Sequence, residues 1–179
     1  MMHEIGDAPA FGPAAGGAPR QIVVMLHGYG ADGNDLIALA PGWSRALPHA
    51  LFLSPHAPQP LEAGPWGRQW FSLREMSPAA LAEGAKSAAP ALDRYLDRIL
   101  AEHGLDGSKL ALGGFSQGCM MARFFGLGRK QAPAAIRGYS GARGGSPASL
   151  AEITVRPPVL LVHGTADSVV PFAALGMAK

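Results

Sequence analysis

The chain has 179 residues, 48% of them hydrophobic and 16% charged, which is long and apolar enough for one domain with a real core. Fifteen Lys and Arg against 13 Asp and Glu leave a formal charge of +2 with the signs interspersed, which argues against nucleic acid or an anionic membrane as partner and for a small-molecule substrate. One cysteine, Cys119, excludes an internal disulfide framework, and no apolar run approaches a membrane span or the core of a signal peptide, so a reducing, cytoplasmic setting without stable membrane insertion is expected.

Residues 1–20 carry Pro9, Gly12, Pro13, Gly16, Gly17 and Pro19 without periodicity, so a flexible N-terminal arm is expected there and the folded domain over 21–179. Gln21 to Leu26, QIVVML, is a continuous apolar run rich in β-branched residues, which suits a central parallel strand buried on both faces. The glycine-rich loop HGYGADGND, His27 to Asp35, follows. Gly28 and Gly30 let its backbone turn N–H groups toward a reacting centre, with Tyr29 N–H the candidate donor to a developing negative charge. Asp32, Asn34 and Asp35 lack the alternating spacing of a calcium loop and are read as turn formers and caps for a helix from Leu36.

Ala50 to Ser54 is a second buried strand, and Pro55, Pro58 and Pro60 stop either regular element after it. A loop to about Ser72 results, carrying Trp66, Trp70 and Phe71; loops this long are usually functional, and these aromatics either wall a substrate pocket or plug the gap between loop and sheet. Ser77-Pro78 is a helix start, and Leu92, Tyr95, Leu96, Ile99 and Leu100 give the spacing of a face laid on the sheet. That helix should end near Gly104, with His103 structural in its last turn.

Lys109 to Leu112 reads as a short strand and Cys119 to Phe125 as a buried helix, joined by Gly114-Phe115-Ser116-Gln117-Gly118, a G-x-S-x-G pattern. On a strained strand-to-helix turn, side chains at the flanking glycine positions would strike neighbouring backbone, while the serine hydroxyl rises above the sheet beside unpaired helix N–H groups. The competing reading is a glycine-rich turn with a capping serine. Ala134 to Tyr139 and PVLLV, Pro158 to Val162, complete five strands alternating with helices, hence an α/β chain with a parallel sheet. A Rossmann-type nucleotide site would need G-x-G-x-x-G, which neither Gly113-Gly114 nor the 28–33 loop supplies. The loop from His163 to Pro171 puts Asp167 at the same carboxyl edge as Ser116, where an acid can orient an imidazole; a turn-forming aspartate is the alternative.

HGYGADGND, PHAPQP with GRQWF, GFSQG and HGTADSVVP, in that order, resemble the phospholipase/carboxylesterase group of α/β-hydrolases, whose relatives include acyl-protein thioesterases, from Gln21 to the end. The resemblance implies the α/β-hydrolase fold, a mostly parallel central sheet flanked by helices, and a serine carboxylesterase hydrolysing small ester or thioester bonds through an acyl-enzyme at Ser116. It implies Asp167 as triad acid, the backbone N–H groups of Tyr29 and Gln117 as oxyanion donors, Trp70 and Phe71 beside the substrate, and neither metal nor organic cofactor. In that family the catalytic histidine follows the acid on a further strand and loop, whereas no histidine follows Asp167 here. His27 and His163 sit in motifs whose resemblance gives them no base role, His56 stands at a strand end in a proline-rich loop, and His3, His49 and His103 have nothing pointing them inward. The expectation is therefore a hydrolase domain lacking its C-terminal strand-helix unit and feebly active as it stands, the alternative being a non-catalytic α/β-hydrolase-like binding protein. A homodimer is compatible with either.

Overall fold

Every apolar run singled out above becomes a strand of one sheet. The computed structural model describes residues 4–141 and 153–178. Its strands are β1 (Ala10–Phe11), β2 (Gln21–Leu26), β3 (Ala50–Leu53), β4 (Gln59–Pro60), β5 (Arg68–Gln69), β6 (Leu110–Phe115), β7 (Ala135–Tyr139) and β8 (Val159–Val162). The helices are α1 (Gly33–Ile37), α2 (Ala40–Trp43), α3 (Pro78–Glu102), α4 (Gln117–Leu127) and α5 (Ala173–Ala178). The main sheet runs β1-β3-β2-β6-β7-β8, and β4 with β5 forms a separate two-stranded ribbon. All neighbours in the main sheet are parallel except β1 on β3.

Strand alternation divides the core. Ile22, Val24 and Leu26 point to one face and pack under α3 and α4 with Leu92, Leu96, Met121 and Phe125. Val23 and Met25 point to the other, where Ala40 and Phe52 are buried with them and Leu36, Ile37 and Trp43 pack alongside. With helices over both faces, β2 has no polar side to show, which is why QIVVML reads as an unbroken apolar run. The second face is covered less far: across β6 to β8 a cavity of about 430 Å³ lies open, lined by Leu39, Trp43, Phe115, Tyr139 and Val162 among others. Val159 and Leu160 on β8 are both more than 40% exposed, and among the described residues β8 pairs only with β7.

Residues 4–20 depart from expectation. They lie along the sheet rather than hanging loose: Ala10 and Phe11 pair with Leu53 and Phe52, Ser54 N–H donates to Pro9 O at 2.9 Å, and Ile5 is buried. Two residues of edge strand need backbone pairing on one side only, which prolines and glycines nearby do not prevent, and so short a strand has no periodicity to read. The helix expected from Leu36 begins instead at Gly33. Asp32 is its cap, accepting from Asn34 N–H at 2.8 Å, and a side chain at Gly33 would meet Ser54 O at 2.1 Å. Ser77 caps α3 through Ala80 N–H at 3.2 Å, and Gly104 leaves its far end at φ +63°. Among the described residues no helix is long and apolar enough to cross a membrane.

Candidate active site

Ser116 stands between the end of β6 and the start of α4 at φ 51°, ψ −114°. Such a conformation in a non-glycine residue costs on the order of 1–3 kcal/mol and persists only when its surroundings impose it. They do so through the two glycines. A Cβ on Gly114 would lie 2.1 Å from Gly118 O, and one on Gly118 would lie 1.9 Å from Leu26 O. Strand β6, helix α4 and the end of β2 therefore cross closer than any side chain allows. Ser116 N–H donates to Tyr139 O at 2.9 Å, while its hydroxyl makes no capping bond to α4, which removes the capping-serine alternative. The residue is half-buried.

The loop after β2 abuts this turn, since a Cβ on Gly28 would sit 3.5 Å from Ser116 Cβ. Tyr29 is the next residue along this loop. Gly30, at φ +85°, donates its N–H to Arg68 O at 2.9 Å, and Arg68 N–H returns to Ala31 O at 2.9 Å, so β5 holds the loop by its backbone. The Tyr29 hydroxyl donates to Glu62 Oε1 at 3.2 Å. Glu62 also accepts from the Ser72 hydroxyl at 2.7 Å and Leu73 N–H at 2.9 Å; these bonds, Ser72 foremost, hold its carboxyl below the usual range. On the other side of Ser116, the first turn of α4 offers N–H groups without intrahelical acceptors, Gln117 the first of them.

Trp70 and Phe71, read as neighbours of a substrate, are both buried in the core beneath α3 and α4. The Trp70 indole N–H donates to His27 O at 2.9 Å, and its ring lies 5.5 Å from the His27 ring. Trp66 on the same loop is 84% exposed. Buried Gln117 joins the two regions: its side-chain oxygen accepts from Trp70 N–H at 2.9 Å and its amide donates to Phe71 O at 2.8 Å. Neither the Gln117 side chain nor Glu62 stands out in the sequence, because their partners come from distant segments. The one available hint is a polar residue opening a mostly apolar helix.

Asp167 leaves β8 at the same edge. Sheet register sets Phe115 level with Tyr139 and Tyr139 level with Val162, so Ser116, Ser140 and His163 are successive exits from three neighbouring strands. Oδ1 of Asp167 accepts from Val169 N–H and Val170 N–H, each at 2.9 Å. Those backbone bonds, Val170 first, hold its carboxyl below the usual carboxylate range, with the Ser140 hydroxyl and His163 adding to the effect. Ser140, like Ser116, is a non-glycine residue at positive φ, 46°.

Three histidines, His27, His56 and His163, turn ring nitrogens to backbone partners. His27, fully buried, donates from Nδ1 to Gly28 O at 2.8 Å and accepts at Nε2 from Ala57 N–H at 3.0 Å; burial pushes its pKa down. His163 donates from Nε2 to Val170 O at 2.8 Å, the same nitrogen lies 3.6 Å from Asp167 Oδ2, and the side chain is 1% exposed. His56 Nδ1 accepts from Gly33 N–H at 3.1 Å. Cys119 is buried against Gly138 and Gly141, and burial pushes its thiol up to about 11, so it is no rival nucleophile. Among the described residues no cluster of three or more His, Cys, Asp or Glu could hold a metal ion.

Known proteins resemble this chain in sequence and fold. The family model described as phospholipase/carboxylesterase matches residues 13–179. Acyl-protein thioesterase 1 of Schizosaccharomyces pombe is 29% identical over 157 residues, 83% of this chain and 69% of its own length. The Yarrowia lipolytica protein of the same name is 29% identical over 175 residues, 92% of this chain and 77% of its own. Among solved structures, esterase PE8 superposes with a TM-score of 0.90 at 40% identity, covering 98% of this chain and 81% of that one. SOBER1 of Arabidopsis thaliana, 24% identical with a TM-score of 0.77, has the same fold.

Proposed function

The chain belongs to the phospholipase/carboxylesterase family, and from that premise we propose that it is a serine carboxylesterase hydrolysing small carboxylic ester or thioester bonds through an acyl-enzyme at Ser116. The observation that carries the reading is the forced backbone of Ser116, a nucleophile elbow that withholds the hydroxyl from helix capping and sets it between two sources of N–H groups. Ser116 Oγ attacks the acyl carbonyl, the N–H groups of Tyr29 and Gln117 receive the oxyanion, the alcohol or thiol leaves, and water releases the acid. Asp167, held ionised by its backbone donors, is the triad acid, placed to orient an imidazolium. Trp70 and Phe71 support the substrate side from behind, through the loop they anchor.

A Ser–Asp pair calls for an imidazole between its members. His27, His56 and His163 turn ring nitrogens to backbone partners, so none of them is assigned the base. Oxyanion hole and binding alone retain roughly 10³–10⁴-fold over water when a triad member is missing. The expected behaviour of residues 1–179 is thus a feeble hydrolysis of short p-nitrophenyl esters that added imidazole raises above a Ser116→Ala background. A robust rate without imidazole, abolished by Ser116→Ala, would make His163 or His56 the base. Absence of any Ser116-dependent rate or fluorophosphonate labelling would favour a binding protein instead. A cytoplasmic setting agrees with the single unpaired, buried thiol, and the exposed apolar residues of β8 support self-association as a homodimer.

A further inference from the structure

Gln117 would serve as an oxyanion donor with any side chain, because that role needs only its backbone N–H. Nothing in it explains a glutamine that is 1% exposed at the start of a mostly apolar helix. Yet both ends of its carboxamide are satisfied, and by consecutive residues of one segment: Trp70 N–H donates to it and Phe71 O accepts from it. The side chain behaves as an extra peptide group, pairing with residues 70–71 as a neighbouring strand would. The connection continues, because the Trp70 indole N–H grips His27 O, the carbonyl that opens the loop bearing Tyr29. His27 is in turn fixed at both ring nitrogens, to Gly28 O and Ala57 N–H. A buried chain of bonds thus runs from the residue after Ser116, through Trp70, to the loop on the opposite side of Ser116.

We infer that Gln117, through its side chain, and Trp70, through its indole, are positioning residues that fix the separation of the two oxyanion donors, Gln117 N–H and Tyr29 N–H. The inference rests on the esterase reading for its catalytic meaning but not for its geometry. Donors aimed at a developing charge help only when they need not reorganise, so a tie between the two loops matters more than either loop's own stability. Glutamine suits the task because it offers an acceptor and a donor at once. A carboxylate would face Phe71 O with a second acceptor, and an apolar side chain would leave both backbone groups unpaired.

Two variants separate the tie from general stability. Gln117→Met keeps the length and loses both bonds; Trp70→Phe keeps an aromatic ring but loses the indole donor and some buried volume, so exchange across β2 serves as the control for packing loss. Each is compared with the parent chain well below its melting temperature. Amide exchange at Gly30 and Ala31, which requires no chemistry at Ser116, should accelerate by about tenfold or more while the amides of β2 stay protected. Fluorophosphonate labelling of Ser116 should slow on the order of 10–10²-fold, the loss that a displacement of ~1 Å can cause. Unchanged exchange at Gly30 and Ala31 in both variants overturns the inference. Exchange that rises equally across β2 also overturns it, by reducing both residues to general packing. If Gln117→Met fails to fold, Trp70→Phe decides. A parent chain that never labels at Ser116 refutes the esterase reading separately, and the exchange result then judges the tie alone.

Discussion

Ser116 and Asp167 leave the carboxyl edge of the same sheet, yet different physics holds them. Ser116 sits where three backbone segments cross too closely for any Cβ, at the centre of the sheet, with helix α4 packed beneath. Asp167 sits beyond β8, where Val159, Leu160 and Val162 are exposed and two backbone N–H bonds to Oδ1 do most of the holding. Hard contacts leave the first no alternative geometry; a few polar bonds at a partly solvated edge leave the second a shallow one. One half of the proposed site is therefore built by exclusion and the other by attraction, and the two should fail differently.

The sharpest break is Gly118→Ala. A methyl group there would meet Leu26 O at 1.9 Å and His27 O at 2.7 Å, both main-chain atoms that cannot step aside. A loss of stability above about 4 kcal/mol is expected, the range reached only by such clashes, and urea denaturation beside the parent chain measures it. A near-normal midpoint would show that the crossing can open, and the contrast would collapse.

Asp167→Asn probes the other half more gently. Asparagine can still accept from Val169 and Val170 N–H but carries no charge, so the fold should survive at neutral pH. With imidazole supplied as the base, Ser116-dependent hydrolysis should fall, by ~10⁴-fold at most, whereas the hydrolysis without imidazole should change little. The pH dependence follows from the depressed carboxyl of the folded state. That stabilisation is fully present above the ordinary aspartate value of about 3.9 and is lost as pH falls through the lower folded value. The stability gap between parent and Asp167→Asn should accordingly be level from neutral pH down to about 5 and shrink below that. A gap that widens toward acid would mean the folded state favours the protonated carboxyl.

Gly164→Ala should do least. Its added methyl would find nothing nearer than Asp167 at 4.0 Å, so a thermal midpoint corresponding to within about 0.5 kcal/mol of the parent is expected. A glycine-to-alanine change is thus ruinous beside Ser116 and harmless beside Asp167. Comparable losses at positions 118 and 164 would refute the division.

Steric demands are what a sequence can carry by itself. The glycines at 114 and 118, the apolar run of β2, the Ser77-Pro78 start and the Gly104 end of α3 are legible because each expresses a local rule about backbone shape or strand and helix period. The position of Asp167 follows from the same logic, since a parallel strand delivers its loop to the carboxyl edge. Tertiary structure alone decided the rest. Ala10 and Phe11 became a strand because β3 had an open edge, not because their own residues favour one. Trp70 faced inward because a carbonyl at His27 awaited its indole, and Gln117 became a strut because a segment 47 residues away presented one donor and one acceptor to it. Hydrogen bonds of that kind join groups that no local period connects, so they exist only once the sheet has brought their segments together.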